Sequence, residues 1–310
     1  MLPIPVILQA MSLMNFILTW LVIGVAGLSS CGPSETGDKD AVVFVQTNES
    51  KNFSQKKSFS ARSDASLKNV ATVIKTQVLP PAPVPPTHPA PLKVKGFKRA
   101  SHVGPNDTGD WPKPVVVVLH GNYDRPEWEC DTWANVAGFY GWILCPRGKR
   151  TPWVAKSEDR WTYSGARVVQ REIKASLSAL EKRYPGRVSR KGMVLAGFSL
   201  GAILTPGIVS LNPGLFPYLF MVEGGLEKLN RQRIKSLIRL GVKGIGLAMS
   251  ALGRRSKAKK ILPIINQSGA RAVFVDMKGA GHEYSDDFII RGEATLRKLL
   301  FKVDKAKNGK

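Results

Sequence analysis

The stretch Met193–Val194–Leu195–Ala196–Gly197–Phe198–Ser199–Leu200–Gly201 decides how this chain folds. Its first four residues form an apolar run of strand type, and the next five read G-x-S-x-G. Ala202, Ile203 and Leu204 then continue in a helix-compatible pattern. Such a strand–turn–helix is a nucleophile elbow, a sharp turn that lifts a serine hydroxyl above a sheet. Small residues must flank Ser199 because the turn is strained and the new helix packs close to the strand. The helix also sets its first N–H groups beside Ser199, where they favour developing negative charge. G-x-S-x-G alone is a weak signal. The strand before it and the helix after it weigh against an ordinary strand–turn–helix.

Outward from the elbow, apolar runs alternate with helical patterns. Residues 115–119 form a β-branched run, as expected of a strand covered on both faces, and end in His120–Gly121–Asn122. A helix is expected around 132–139 and a strand at 142–145, the latter ending at Pro146–Arg147–Gly148. Residues 165–184 have helical spacing and stop before Pro185–Gly186. After the elbow come a strand at 216–222 ending in Glu223–Gly224–Gly225, a poorer strand at 244–250 and a helix near 257–267. A strand at 272–276 and a closing helix at 287–301 complete the series. This alternation predicts an α/β domain: a mostly parallel central sheet with helices on both faces. No internal repeat is visible.

The order of strand–His120–Gly121, elbow at Ser199 and Gly281–His282 after the last strand resembles the α/β-hydrolase family across roughly residues 113–301. The resemblance implies the α/β-hydrolase fold and a serine nucleophile with a late histidine as base and a carboxylate to orient it. It also implies an oxyanion loop beginning at His–Gly.

A serine hydroxyl needs a base to take its proton as it attacks. Of the four histidines, His88 and His102 fall in or near a linker region and are expected to be solvated, and His120 opens the oxyanion loop, where its ring is structural. That leaves His282, in the glycine-containing run Lys278–Gly279–Ala280–Gly281–His282–Glu283–Tyr284. The oxyanion hole is expected to use the N–H of Leu200 with that of Asn122 or Tyr123. The acid departs from the family's pattern. The family usually carries it after the penultimate strand, in a Gly-x-x-Asp turn, but here Ala251–Leu252–Gly253–Arg254–Arg255–Ser256 has no acid. Some lipases of the family carry it one strand earlier, which makes Glu223 the best substitute. Asp276, Glu283, Asp286 and Asp287, or a Ser–His dyad without an acid, remain alternatives.

The net charge of +23, with 46 Lys and Arg against 23 Asp and Glu, makes anionic surfaces plausible partners. Residues 227–260 hold eleven of these cations and one acid. With Ile234, Leu237, Ile238 and Leu240 on one face, the segment reads either as a cationic lid over the site or as a solvated face. Trp128, Trp133, Trp153, Trp161 and Tyr163 are either core or the wall of an acyl pocket, and residues 124–128, just beyond the oxyanion loop, are placed to shape its mouth. No binding motif accompanies the charge, so specific nucleic-acid binding is not expected. Nor is there a metal-ligand cluster, phosphate loop or dinucleotide fingerprint, and no cofactor is expected.

At the N-terminus, residues 3–28 carry no charge, and Leu28–Ser29–Ser30–Cys31 resembles a bacterial lipobox, which implies a lipid on Cys31. An uncleaved anchor or ordinary secretion are the alternatives, since no Lys or Arg precedes the apolar run. Gly32 does not resemble an inner-membrane retention signal, so an outer-membrane, extracytoplasmic location is expected. Residues 32–96 read as a Ser-, Lys- and Pro-rich disordered tether, within which residues 42–45 form one isolated strand candidate. The hydrolase domain is placed at 97–303 and a basic tail at 304–310. In an oxidising compartment Cys130 and Cys145 are expected to form a disulfide rather than two buried thiols. The expected activity is serine hydrolysis of a small or lipid-like carboxylic ester. A peptidase or acyltransferase, or an inactive hydrolase-like domain that only binds at the envelope, are the other readings.

Overall fold

The computed structural model describes residues 83–301. The signal and lipobox with Cys31, the tether up to residue 82 and the basic tail lie outside the described residues.

Among the described residues, ten strands and six α-helices follow one another as β1 (Ala90–Leu92), β2 (Ala100–Val103), β3 (Lys113–Leu119), α1 (Pro126–Ala137), β4 (Trp142–Cys145), β5 (Lys149–Arg150), β6 (Trp161–Thr162), α2 (Ala166–Arg183), β7 (Val188–Phe198), α3 (Leu200–Ser210), β8 (Tyr218–Val222), α4 (Arg231–Arg239), β9 (Gly244–Met249), α5 (Leu252–Gln267), β10 (Arg271–Asp276) and α6 (Asp286–Leu300). Eight strands form one sheet in the order β1-β2-β4-β3-β7-β8-β9-β10, while β5 and β6 pair separately. The pairs β1–β2 and β2–β4 are antiparallel, and every later neighbour in the large sheet is parallel. This is an α/β-hydrolase fold.

Alternation along the strands divides the core in two. Val115, Val117 and Leu119 of β3 face one layer with α2, α3, α4 and α5, represented by Leu177, Ile208, Leu237 and Ile261. Val116 and Val118 face the other with α1 and α6, represented by Trp133 and Phe288. The disulfide Cys130–Cys145 forms, joining α1 to the end of β4 with Cα atoms 5.9 Å apart.

Several expectations need correction. The sheet begins at Ala90, inside the segment assigned to the tether. Its first strand, Ala90–Pro91–Leu92, pairs only with β2, and an edge strand tolerates a proline that a central strand would not. His102, expected to be solvated, is buried in β2: its Nδ1–H donates to Ala90 O at 2.8 Å and its Nε2 accepts from the Tyr184 hydroxyl at 3.0 Å. Burial lowers its pKa to about 4, so the ring is neutral. His88 is exposed.

The basic segment 227–260 is not an inserted lid. It comprises α4, the wholly buried strand β9 and the first half of α5, a regular crossover of the sheet. Ile234 and Leu237 bury against the core, and most of the cations are exposed to solvent, Arg254 and Arg255 instead turning to acids at the ends of the strands. Helix α1 starts six residues earlier than expected, with Pro126 at its first position, where the missing N–H is no loss.

Candidate active site

Strand β7 ends at Phe198 and α3 starts at Leu200, leaving Ser199 alone in the turn with φ 48° and ψ −111°. A non-glycine residue rarely adopts this conformation, so the surrounding structure must impose it. The N–H of Ser199 bonds Val222 O at 2.9 Å. A Cβ on Gly197 would run into the backbone of Gly201, and one on Gly201 into that of Leu119. The flanking glycines are there because the helix crosses the strand that closely.

The loop after β10 brings His282 over the elbow, turning through Gly279 and Gly281 at φ 87° and 68°. His282 Nε2 lies 2.8 Å from Ser199 Oγ. Ser250 Oγ bonds the carbonyl of Gly281 and so ties this loop to the end of β9.

Glu223 follows β8 directly and is only 2% exposed. It too is held at positive φ, 51°, with its N–H on Ala248 O at 3.0 Å. Its Oε1 accepts the N–H of Ser250, and its Oε2 lies 3.5 Å from His282 Nδ1. The structure thus brings Ser199, His282 and Glu223 together from three separate loops. Asp276 is drawn away into ion pairs with Arg255 and Lys259.

Arg254 has no role in the sequence reading beyond marking a turn without an acid. Its Nη1 donates to Glu223 O at 2.7 Å and to Oε2 at 3.3 Å, and lies 3.5 Å from His282 Nδ1. A guanidinium only donates, so when Nδ1 carries the ring proton that proton is given to the Glu223 carboxylate and not to Arg254. That tautomer leaves Nε2 free to accept from Ser199 Oγ. An open cleft of about 540 Å³ beside the histidine is lined by Glu223, Ser250, Ala251, Arg254, Gly279, Gly281 and His282.

On the other side, Leu200 is the first residue of α3, so its N–H has no intrahelical acceptor. Asn122 and Tyr123 follow β3, with Tyr123 at φ 60° and the Asn122 Oδ1 accepting from Thr162 Oγ1 at 2.6 Å. His120 is buried beneath this loop. Its ring nitrogens meet Gly121 O at 2.7 Å and Arg147 O at 2.9 Å, and its ring stacks on Tyr163 at 4.3 Å. Burial holds its pKa below the usual histidine range. It has no exposed surface and anchors the loop.

Of the aromatic residues, Trp133, Trp161 and Tyr163 are buried, whereas Trp128 and Trp153 are exposed. Trp128 sits between Arg125 and Arg160, whose guanidinium carbons lie 5.4 and 4.7 Å from its ring. Asp124 and Trp161 exchange backbone hydrogen bonds, which pins the segment at residue 124. Local sequence gives Glu129 and Tyr284 no role either. Tyr284 O–H donates to Glu129 Oε2 at 2.6 Å. No spacing rule links a helix residue to a loop residue so distant along the chain.

No protein-family model matches the chain, and no curated protein matches it. Among solved structures it is similar to a Bacillus cereus carboxylesterase, with 13% identity, a TM-score of 0.45, and coverage of 66% of this chain and 95% of that one. It is similar to Est1E from Butyrivibrio proteoclasticus, with 11% identity, a TM-score of 0.46, and coverage of 69% and 98%. It is also similar to the Pyrococcus horikoshii acylaminoacyl peptidase, with 15% identity, a TM-score of 0.47, and coverage of 70% of this chain and 42% of that longer one.

Proposed function

We propose that this chain is a serine hydrolase that cleaves carboxylic esters through an acyl-Ser199 intermediate. The observation that carries this reading is the 2.8 Å approach of His282 Nε2 to Ser199 Oγ, with Glu223 Oε2 on the far side of the ring. Ser199 Oγ attacks the ester carbonyl carbon as its proton passes to His282 Nε2. The carbonyl oxygen, now negative, accepts the N–H of Leu200 and that of Asn122 or Tyr123. Loss of one such donor costs about 3–4 kcal/mol of transition-state stabilisation. The C–O bond to the alcohol then breaks, and His282 returns the proton to the leaving oxygen. Water, deprotonated by His282, attacks the acyl carbon and releases the acid and free Ser199.

Among the described residues, Glu223 is the acid that reaches the base, and its position favours turnover over a domain that only binds. The disulfide supports an oxidising compartment, in keeping with a lipid-anchored, extracytoplasmic protein attached through Cys31. Mass spectrometry of the membrane-extracted protein checks the anchor: a mature chain starting at a diacylated Cys31 is expected, and an unmodified start there refutes it.

Treatment with a fluorophosphonate tests the reaction class. A phosphonyl adduct on Ser199, absent in Ser199→Ala, is expected. A folded protein that takes no label ends the hydrolase reading. Release of 4-nitrophenol from its acetate and butyrate esters, without cleavage of a matching anilide, separates an esterase from a peptidase.

A further inference from the structure

Glu129 lies on α1 next to the site, 2% exposed, and the reaction above makes no use of it. Two other groups meet its carboxyl. Tyr284, two residues beyond His282, donates to Oε2 at 2.6 Å, and the tyrosine oxygen accepts the Trp133 indole N–H at 3.0 Å. The Asp124 carboxyl lies within hydrogen-bonding reach of it. Asp124 closes the loop that opens at His120–Gly121. Its Oδ1 accepts the N–H of Arg125 at 2.8 Å, and its Oδ2 packs close to Gly121. The Tyr284 ring also packs on Phe198 at 4.9 Å, and Phe198 packs on His282 at 5.2 Å.

We propose that Glu129 is a positioning residue: by bonding Tyr284 and Asp124 together, it fastens the loop that carries His282 to the loop that carries the Asn122 and Tyr123 N–H groups. This rests on the hydrolase reading of the same site. Base and oxyanion donors come from segments far apart along the chain, and nucleophilic attack needs them held in one geometry.

Two carboxyl groups share a hydrogen bond only when one keeps its proton. Burial, then the charge of Asp124, push Glu129 well above the usual carboxylate range, so the proton stays on Glu129. One of its oxygens donates to Asp124 while Oε2 accepts from Tyr284. The other titratable groups facing the cluster are Tyr284, Tyr163 and His120. Burial pushes both tyrosines up and His120 down, so none of them supplies a charge near neutrality. The nearby cations are engaged elsewhere, Arg125 with Asp159 and Arg147 with Glu127. Loss of the Glu129 proton would therefore set a buried carboxylate against the partly buried one of Asp124 and release the fastening.

Three variants test this. Glu129→Gln keeps both hydrogen bonds without a titratable proton, Glu129→Leu removes both at similar volume, and Tyr284→Phe removes one and leaves the ring packing. Their kcat and KM on 4-nitrophenyl butyrate are measured from neutral to alkaline pH, beside amide hydrogen exchange of residues 121–125 and 278–285. Glu129→Gln is expected within about twofold of the wild-type kcat at neutral pH and to lack the wild type's alkaline fall. Glu129→Leu and Tyr284→Phe are expected to lose roughly ten- to a hundredfold in kcat with little change in KM. Both segments should exchange faster in Glu129→Leu. Wild-type exchange and kcat in Tyr284→Phe and Glu129→Leu, or an alkaline fall retained in Glu129→Gln, would overturn the proposal. Should Glu129→Leu not fold, the other two variants decide. A wild type that turns over no ester fails the hydrolase reading instead, and the exchange measurements still decide the fastening.

Discussion

Glu223 Oε2 stands 3.5 Å from His282 Nδ1, while Glu223 Oε1 is held by the N–H of Ser250. One oxygen is anchored by backbone and the other is presented to the base. Arg254 bonds the same residue through its carbonyl and Oε2, so the carboxylate cannot swing away from the imidazole without breaking several contacts.

Glu223→Gln is therefore expected to lower kcat by between about a hundredfold and ten-thousandfold, because an amide neither orients the productive tautomer nor stabilises imidazolium. Steady-state kinetics on a 4-nitrophenyl ester measure it, with fluorophosphonate labelling of Ser199 slowed in parallel. Undiminished kcat would assign the acid's role to another group.

Burial of His102 makes an acid-side prediction. The unfolded residue has the ordinary pKa of 6.5 and the folded one about 4, so unfolding takes up a proton between these values. Its contribution is fully present above pH 6.5 and is lost as pH falls toward 4, a change of ~3 kcal/mol. Urea unfolding of wild type and His102→Gln across that window should show the wild type losing its advantage on acidification. Parallel curves would contradict it.

Glu129 acts with the opposite sign. Its unfolded carboxyl ionises near 4.5 and its folded one far higher, so folding takes up a proton in between and stability falls as pH rises. Glu129→Gln does not carry this penalty. Its stability relative to wild type should grow steadily from acid to alkaline pH in the same urea titrations, and a constant difference would speak against a buried proton.

The disulfide Cys130–Cys145 ties α1, which carries Glu129, to the sheet across a separation of 15 residues. Replacing both cysteines with alanine should cost about 3 kcal/mol of unfolding free energy, read by equilibrium denaturation, without changing the labelling of Ser199. A double variant as stable as the wild type would show that the bridge adds nothing to the fold.

Much of this protein is legible along the chain. The elbow at Ser199, the strands at Trp142–Cys145 and Gly244–Met249, and the helix Ala166–Arg183 follow from local apolar patterning and from glycines placed where backbones must approach. The serine and histidine could be singled out because few residues of their kind stand in suitable turns. What the chain's order does not show is pairing between remote segments. Pro91 beside a lysine-rich stretch reads as tether until β2 is there to pair with β1, and the cations at 227–260 read as a lid until the buried strand β9 draws them into a crossover. Glu223, Arg254 and His282 meet only because parallel strands end at one edge of the sheet, and Glu129 meets Tyr284 only because α1 and α6 pack on the same face. Local spacing sets which backbone each segment adopts. Burial and electrostatic contact depend on distances in space, and those the tertiary structure alone decided.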